Sequence, residues 1–188
     1  MFWITDSRQV ITDPKKGVFF AIRGDRHDGH QYIIDLYDRG VRQFVVERAA
    51  MQTEWKLLSD AQFTEVDNVL QTLQQMATKH RQQFQIPVVG ITGSNGKTIV
   101  KEWLAQLLSG GPPPTDFVIA RSPKSYNSQV GVPLSVHQLN ETHTLGIFEA
   151  GISQPHEMAA LEPMIQPTIG VFTNIGTAHD EGFESQKQ

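Results

Sequence analysis

The chain contains no cysteine. That excludes disulfides, thiolate metal sites and cysteine nucleophiles, and it fits a reducing compartment. Long hydrophobic runs are also missing. The apolar stretches are a few residues each, far short of the roughly 20 that span a bilayer. The opening Met1-Phe-Trp-Ile-Thr-Asp6 has neither the basic segment nor the apolar stretch of a signal peptide. Positive charge is not in excess: 16 Lys and Arg face 20 Asp and Glu, for a net charge of −4. Such a balance leaves no electrostatic footprint for nucleic acid or an anionic membrane. No internal repeat is visible. A soluble, cytoplasmic protein is the expectation.

The 188 residues, 39% hydrophobic and 19% charged, suit one large globular domain or two small ones. The pattern changes near Gln85, which predicts an N-terminal domain over 1–84 and a second over 85–188. In the first, Val18–Ile22 reads as a strand, Asp28-Gly29 as a turn, His30–Arg39 as a helix ended by Gly40, and Phe44-Val45-Val46 as a strand. Asp67 is the expected cap of a helix carrying Leu70, Leu73, Met76 and Ala77, which decays into the polar stretch Lys79–Gln83.

Strands and helices then alternate. Strands are predicted at Pro87–Thr92, Phe117–Ala120, Leu145–Ala150 and Ile169–Thr173. Helices are predicted at Thr98–Leu108, Gln129–Leu139 and Pro155–Leu161, with a loop at Gly110–Pro114. Ile99, Val100, Trp103, Leu104, Leu107 and Leu108 are the expected buried stripe of the first helix. The order implies an α/β fold: a small mixed α/β N-terminal domain, then a parallel-sheet, Rossmann-like P-loop domain, incomplete at its C-terminal end. Ligands gather at the carboxyl ends of parallel strands. Polar residues do follow each strand: Ser94 to Thr98, Lys124 to Gln129, Glu149, and Asn174 to His179.

Gly90-Ile-Thr-Gly-Ser-Asn-Gly-Lys-Thr98 lies between a strand and a helix. Glycines there let backbone amides close on an anion, and the helix N-terminus adds favourable partial charge. Gly93, Ser94, Asn95 and Gly96 would wrap the phosphates of ATP or GTP, Lys97 would neutralise them, and Thr98 would offer its hydroxyl to Mg²⁺. The strict phosphate-loop pattern requires glycine where this chain has Ile91, so the loop is a variant. Glu149 ends an apolar strand, where a carboxylate needs an ion partner, and Mg²⁺ is the natural one. Mg²⁺ prefers oxygen, so His179 on its own chemistry is equally well an ordinary loop histidine. Lys124-Ser-Tyr-Asn-Ser-Gln129 suggests a polar substrate beside the nucleotide.

Four collinear stretches resemble the Mur ligases of peptidoglycan synthesis, and within them the MurF branch. They are the phosphate loop; Tyr126-Asn-Ser-Gln-Val-Gly-Val-Pro-Leu134, similar to N-x-N-N-E-I-G-x-P-L; Phe148-Glu-Ala-Gly-Ile-Ser153; and Thr173-Asn-Ile-Gly-Thr-Ala-His-Asp-Glu181, similar to T-N-I-G-x-A-H-L-E. Thr5-Asp-Ser-Arg8, Gly17–Gly24 and Asp28-Gly-His30 resemble the family's uridine-diphosphate-binding domain. The resemblance implies an ATP-dependent ligase joining D-alanyl-D-alanine to UDP-N-acetylmuramoyl-tripeptide through an acyl phosphate. It further implies that Lys97 and Thr98 serve ATP and Mg²⁺, with Asn174 at the nucleotide, and that Glu149 and His179 hold a second Mg²⁺. Ser7, Arg8, Asp25, Arg26 and His27 would line the uridine pocket, and Asn127, Ser128 and Gln129 would face the muramoyl-peptide.

Ser128 and Gln129 depart from the family's Asn and Glu. With Ile99 and Ser122-Pro-Lys-Ser125, that variant is similar to the Bacteroidetes-type fusion with alanine racemase. The family carries a carbamylated lysine and a closing domain further on, so the resemblance implies a fragment that does not turn over alone. Other readings are a related ligase such as MurE or folylpolyglutamate synthase, or a non-catalytic nucleotide-binding module. Asp6-Ser-Arg8 speaks against the folate enzyme, and Asn127–Leu134 favours MurF over MurE.

Overall fold

A computed structural model of the chain describes residues 1–110, 117–153 and 156–176. The expected loop residues Gly111–Pro114, the helix start at Pro155 and His179 lie outside them. The described chain forms two compact units, Met1–Leu73 and Gln74–Gln188. The division falls inside a helix, ahead of the Gln85 boundary expected from the change of pattern.

The first unit is built on a four-stranded parallel sheet of β1 (Phe2–Ile4), β2 (Gly17–Phe20), β3 (Gln43–Glu47) and β4 (Gln62–Val66), in that order. Gly29–Tyr32 forms a 3-10 turn that runs into α1 (Ile33–Asp38). Asp28 caps the turn by accepting from the His30 amide, and Gly40, at φ 97°, ends the helix as expected. Ile4, Phe19, Ala21, Ile33, Leu36, Val41, Phe44, Val46 and Trp55 make the core. Each large side chain buried there contributes about 1.5–3 kcal/mol.

Two strands went unseen in the sequence. β1 is only three residues long. β4 is an edge strand whose Gln62, Thr64 and Glu65 are exposed, so its hydrophobic signal is thin.

Helix α2 (Val69–Arg81) continues through the stretch expected to decay, because Arg81 is buried rather than solvated. Its start is capped by Asn68, whose Oδ1 accepts from the Gln71 amide at 2.8 Å, not by Asp67. Asp67 instead lies exposed, 3.5 Å from the Arg48 guanidinium.

The second unit holds a parallel sheet of order β6-β7-β5-β8: β5 (Val88–Thr92), β6 (Ile119–Arg121), β7 (Leu145–Glu149) and β8 (Ile169–Phe172). Helices α3 (Lys97–Ser109), α4 (Gly131–Val136) and α5 (Glu157–Ile165) connect them. Connections leave β5 and β7 in opposite directions, so strand order reverses between these two neighbours. Their carboxyl ends define the crevice where such sheets bind ligands.

The expected stripe of α3 is half right. Val100, Leu104 and Leu108 pack on the sheet core with Ala105, and Lys101 is fully buried. Ile99, Trp103 and Leu107 are exposed at 57%, 65% and 75%. The six apolar residues form two adjacent stripes, and one helix face can cover only one sheet. No described helix is long and apolar enough to cross a membrane.

Candidate functional site

Strand β5 ends at Thr92, and the chain turns through Gly93 and Gly96 with φ of 129° and 83°. Both angles favour glycine. Lys97 opens α3 directly after Gly96, so the amides of Lys97 and Thr98 lie in the first turn and lack intrahelical acceptors. Nothing lies within 4 Å of where a Cβ on Gly96 would sit, leaving an open cradle at the helix N-terminus. The Lys97 ammonium folds over the loop and donates to the carbonyls of Gly93 at 2.5 Å and Ser94 at 3.3 Å.

The segment after β8 braces this loop. Asn174 accepts from the Ser94 amide through its carbonyl at 3.0 Å and from the Asn95 amide through Oδ1 at 2.9 Å. The Gly176 amide donates to Ser94 Oγ, and the Thr173 hydroxyl donates to the Asn95 carbonyl at 2.6 Å. Asn174, expected at the nucleotide, therefore holds two loop amides in place from behind.

Glu149 ends β7 opposite Ile91 of β5, two residues before Gly93, and is fully buried. Its Oε2 accepts from Thr98 Oγ1 at 3.0 Å and from Asn127 Nδ2 at 3.5 Å. Its Oε1 lies 2.9 Å from the ammonium of Lys101, which is as buried as the carboxylate. The contact is one of charge, since Oε1 receives no aligned hydrogen bond. Lys101 also donates to the carbonyls of Ser122, at 2.8 Å, and Lys124. Ser122 Oγ accepts from the Glu149 amide at 3.1 Å. The sequence named Mg²⁺ as the natural partner of Glu149; in the structure the charge beside it is the ammonium of Lys101.

Lys101 and Ser122 had no place among the expected site residues. Lysine is rarely fully buried unless paired, but at position 101 it reads as one polar residue in an amphipathic helix until the buried stripe is known.

The groups suit a phosphate with Mg²⁺. Adjacent oxygens around octahedral Mg²⁺, with bonds of 2.0–2.1 Å, stand about 3 Å apart, as Thr98 Oγ1 and Glu149 Oε2 do. Among the described residues no three His, Asp or Glu side chains gather into a metal cage.

Around this centre, Ser125 Oγ lies 3.2 Å from Thr98 Oγ1. Ser128 Oγ accepts from the Gly131 amide at the start of α4. Gln129 accepts from Gln74 Nε2 at 2.9 Å and donates to the Glu157 carbonyl at 3.2 Å. Ser128 thus bonds within its own loop, whereas Gln129 ties that loop to α2 and to the start of α5.

In the first unit the expected uridine residues lie beyond the carboxyl ends of β1 and β2. Arg8 forms a forked pair with Asp6, its Nε and Nη2 donating at 2.9 and 2.8 Å. These bonds hold the Asp6 carboxyl down at about 2. Arg39 donates to the carbonyls of Ser7 and Gln9 and pins this turn. The Gly24 amide donates to the His27 carbonyl, which leaves Asp25, Arg26 and His27 exposed at a loop tip.

The base of that loop is tied by Arg23 to Asp28 at 2.9 Å and to Glu47 at 3.2 Å. Buried His30 contacts Asp28 at 2.5 Å, accepts from the Glu47 amide at 2.9 Å and stacks on Trp55. Burial would push the Asp28 carboxyl up, but the bonds from His30 and Arg23 outweigh it and hold it below its ordinary value.

A phosphate loop at a sheet's switch point, with a buried carboxylate on the neighbouring strand, defines the class of P-loop nucleotide-binding proteins. More narrowly, the chain belongs to the Mur ligase family: residues 5–109 match "Mur ligase family, catalytic domain" and residues 91–188 match "Mur ligase middle domain".

Its relatives include the UDP-N-acetylmuramoyl-tripeptide–D-alanyl-D-alanine ligase of Synechocystis, 34% identical over 93% of this chain and 36% of that protein. The Bacillus subtilis ligase of the same name is 29% identical over 95% of this chain and 38% of that one. Among solved structures, MurF from Acinetobacter baumannii superposes with a TM-score of 0.83 at 26% identity, covering 98% of this chain and 38% of its own. MurF from Thermotoga maritima, in complex with ADP, gives 0.81 at 28% identity, covering 99% and 40%. The chain thus spans little more than a third of the length of these relatives.

Proposed function

We propose that this chain carries the UDP-substrate unit and the phosphate-binding unit of an ATP-dependent ligase that adds D-alanyl-D-alanine to UDP-N-acetylmuramoyl-tripeptide in the cytoplasm. The observation that carries the reading is the convergence of Thr98 and Glu149 on one point beside the phosphate loop. That convergence supports Mg²⁺-dependent use of a nucleotide, and the match to the Mur ligase middle domain supports ligation as its purpose.

In this reading the amides of Lys97 and Thr98 and the Lys97 ammonium bind the ATP phosphates and offset the charge that moves onto ADP. Thr98, with Glu149 beside it, would hold one Mg²⁺ and Glu149 with His179 a second; the ions would neutralise phosphate charge when bound. The peptide's terminal carboxylate attacks the γ-phosphorus and ADP leaves. The amine of D-alanyl-D-alanine then attacks the acyl phosphate, and phosphate departs as the amide forms. In this reading catalysis is by positioning and charge neutralisation.

Ser7, Arg8, Asp25, Arg26 and His27 would receive the uridine diphosphate. Asn127 would face the muramoyl-peptide, with Ser128 and Gln129 shaping that loop. The racemase fusion suggested by Ser128, Gln129, Ile99 and Ser122-Pro-Lys-Ser125 belongs to the same proposal and is tested by whether the gene encoding this chain also encodes a racemase domain.

The test is calorimetric titration of the chain with UDP-N-acetylmuramoyl-tripeptide and, separately, with Mg²⁺ and ADP. Both should bind, and Lys97→Ala should lose ADP while keeping the uridine ligand. Indifference of the wild-type chain to the uridine ligand would leave a nucleotide-binding module in place of a ligase.

A further inference from the structure

Helix α3 carries two lysines one turn apart. Lys97 faces the phosphate loop, whereas Lys101 is sealed inside the unit with no exposed surface. Its ammonium touches Glu149 Oε1 at 2.9 Å and Glu102 at 3.1 Å, and donates to the Ser122 and Lys124 carbonyls. The two carbonyls fix the ammonium, and the ammonium fixes one carboxylate oxygen. Glu149 Oε2 is left as the oxygen turned to Thr98. The same ammonium anchors the turn after β6, where Lys124 sits at φ 48° just ahead of Ser125 and Asn127.

We propose that Lys101 is a positioning residue for the cation site: it holds Glu149 by Oε1 so that Oε2 serves the divalent ion beside Thr98. The inference rests on the reading of Thr98 and Glu149 as cation ligands. It assigns the buried ammonium a task separate from phosphate binding. Groups that orient a metal ligand typically change metal affinity 10–100-fold when removed, although they never touch the ion.

The experiment measures Mn²⁺ affinity of the ADP-bound chain by electron paramagnetic resonance, alongside ADP affinity without metal by calorimetry. Lys101→Met keeps an unbranched stem as far as Cε and removes the charged ammonium. It is expected to weaken Mn²⁺ binding by 10–100-fold while metal-free ADP binding stays within twofold. Lys101→Arg, which keeps a cation against Glu149, should recover part of the loss. Wild-type Mn²⁺ affinity in Lys101→Met, or an equal loss of metal-free ADP binding, would overturn the proposal.

Lys101→Met alone leaves a buried carboxylate unpaired and is at risk of unfolding. The neutral pair Lys101→Met with Glu149→Gln avoids that and is compared with Glu149→Gln alone. If Lys101 acts through Glu149, the two should bind Mn²⁺ within twofold of each other. A further large loss in the double variant would sink the idea. An unchanged Mn²⁺ affinity in Glu149→Gln would instead bring down the cation reading itself, and the role of Lys101 with it.

Discussion

A Cβ on Gly93 would lie 2.2 Å from the hydroxyl of Thr173. The phosphate loop and the segment after β8 are therefore packed with no room for a methyl group, although 80 residues of sequence separate them. Gly93→Ala meets both this clash and a backbone φ of 129°. It should weaken Mg²⁺–ADP binding more than tenfold by calorimetry. Gly96→Ala meets open space and only the left-handed backbone, a strain of about 1–2 kcal/mol. Equal effects of the two substitutions would argue that contact with Thr173 does not shape the loop.

His30 joins three parts of the first unit: the Asp28 turn, the Glu47 amide and the Trp55 ring. Replacing it with alanine leaves the half-buried Glu47 N–H without its imidazole acceptor and a void beside Trp55. The expected destabilisation is about 2–4 kcal/mol, read from urea unfolding followed by tryptophan fluorescence. A midpoint unmoved by His30→Ala would mean the imidazole is dispensable to this core.

Arg81 gathers four main-chain oxygens in the second unit, those of Ile165, Phe84, Ile86 and Gln166, from a buried position. Burial pushes its guanidinium below the usual arginine range, yet the carbonyl cage keeps it in place. Arg81→Ala strands those acceptors and should lower stability by about 2–4 kcal/mol. Arg81→Lys should recover little, because one ammonium cannot span the cage. Full recovery by lysine in thermal melts would show that charge alone matters there.

Asp6 is held at about 2, down from an ordinary value of 3.8, chiefly by the side-chain bond from Arg8. A lowered folded-state value means the carboxylate's contribution is complete above pH 3.8 and is lost as the pH falls through about 2. The carboxyl carbon resonance of Asp6 should thus titrate well below those of unpaired aspartates. Arg8→Ala should return it to the ordinary range. Because the pair is largely exposed, its effect on global stability is expected to be small. An Asp6 midpoint near 4 in the wild-type chain would show that the pair does not persist in solution.

Sequence by itself determined the parts whose logic is local. Glycine spacing between a strand and a helix marked the phosphate loop. Asp28-Gly29 and Gly40 marked a turn and a helix end. An acidic residue closing an apolar strand announced that Glu149 would need a partner.

Tertiary structure decided what depends on distant neighbours. It chose Lys101 as that partner, turned Asn174 into a brace for Ser94 and Asn95, and buried one of the two apolar stripes of α3 while exposing the other. It also paired the thinly hydrophobic β1 and β4 into a sheet. The reason is physical: periodicity reports which residues share a face, but not which surface that face will meet. A buried charge is tolerable only where other segments of chain bring a counter-charge, as for Lys101, or a set of carbonyl acceptors, as for Arg81, within hydrogen-bonding reach.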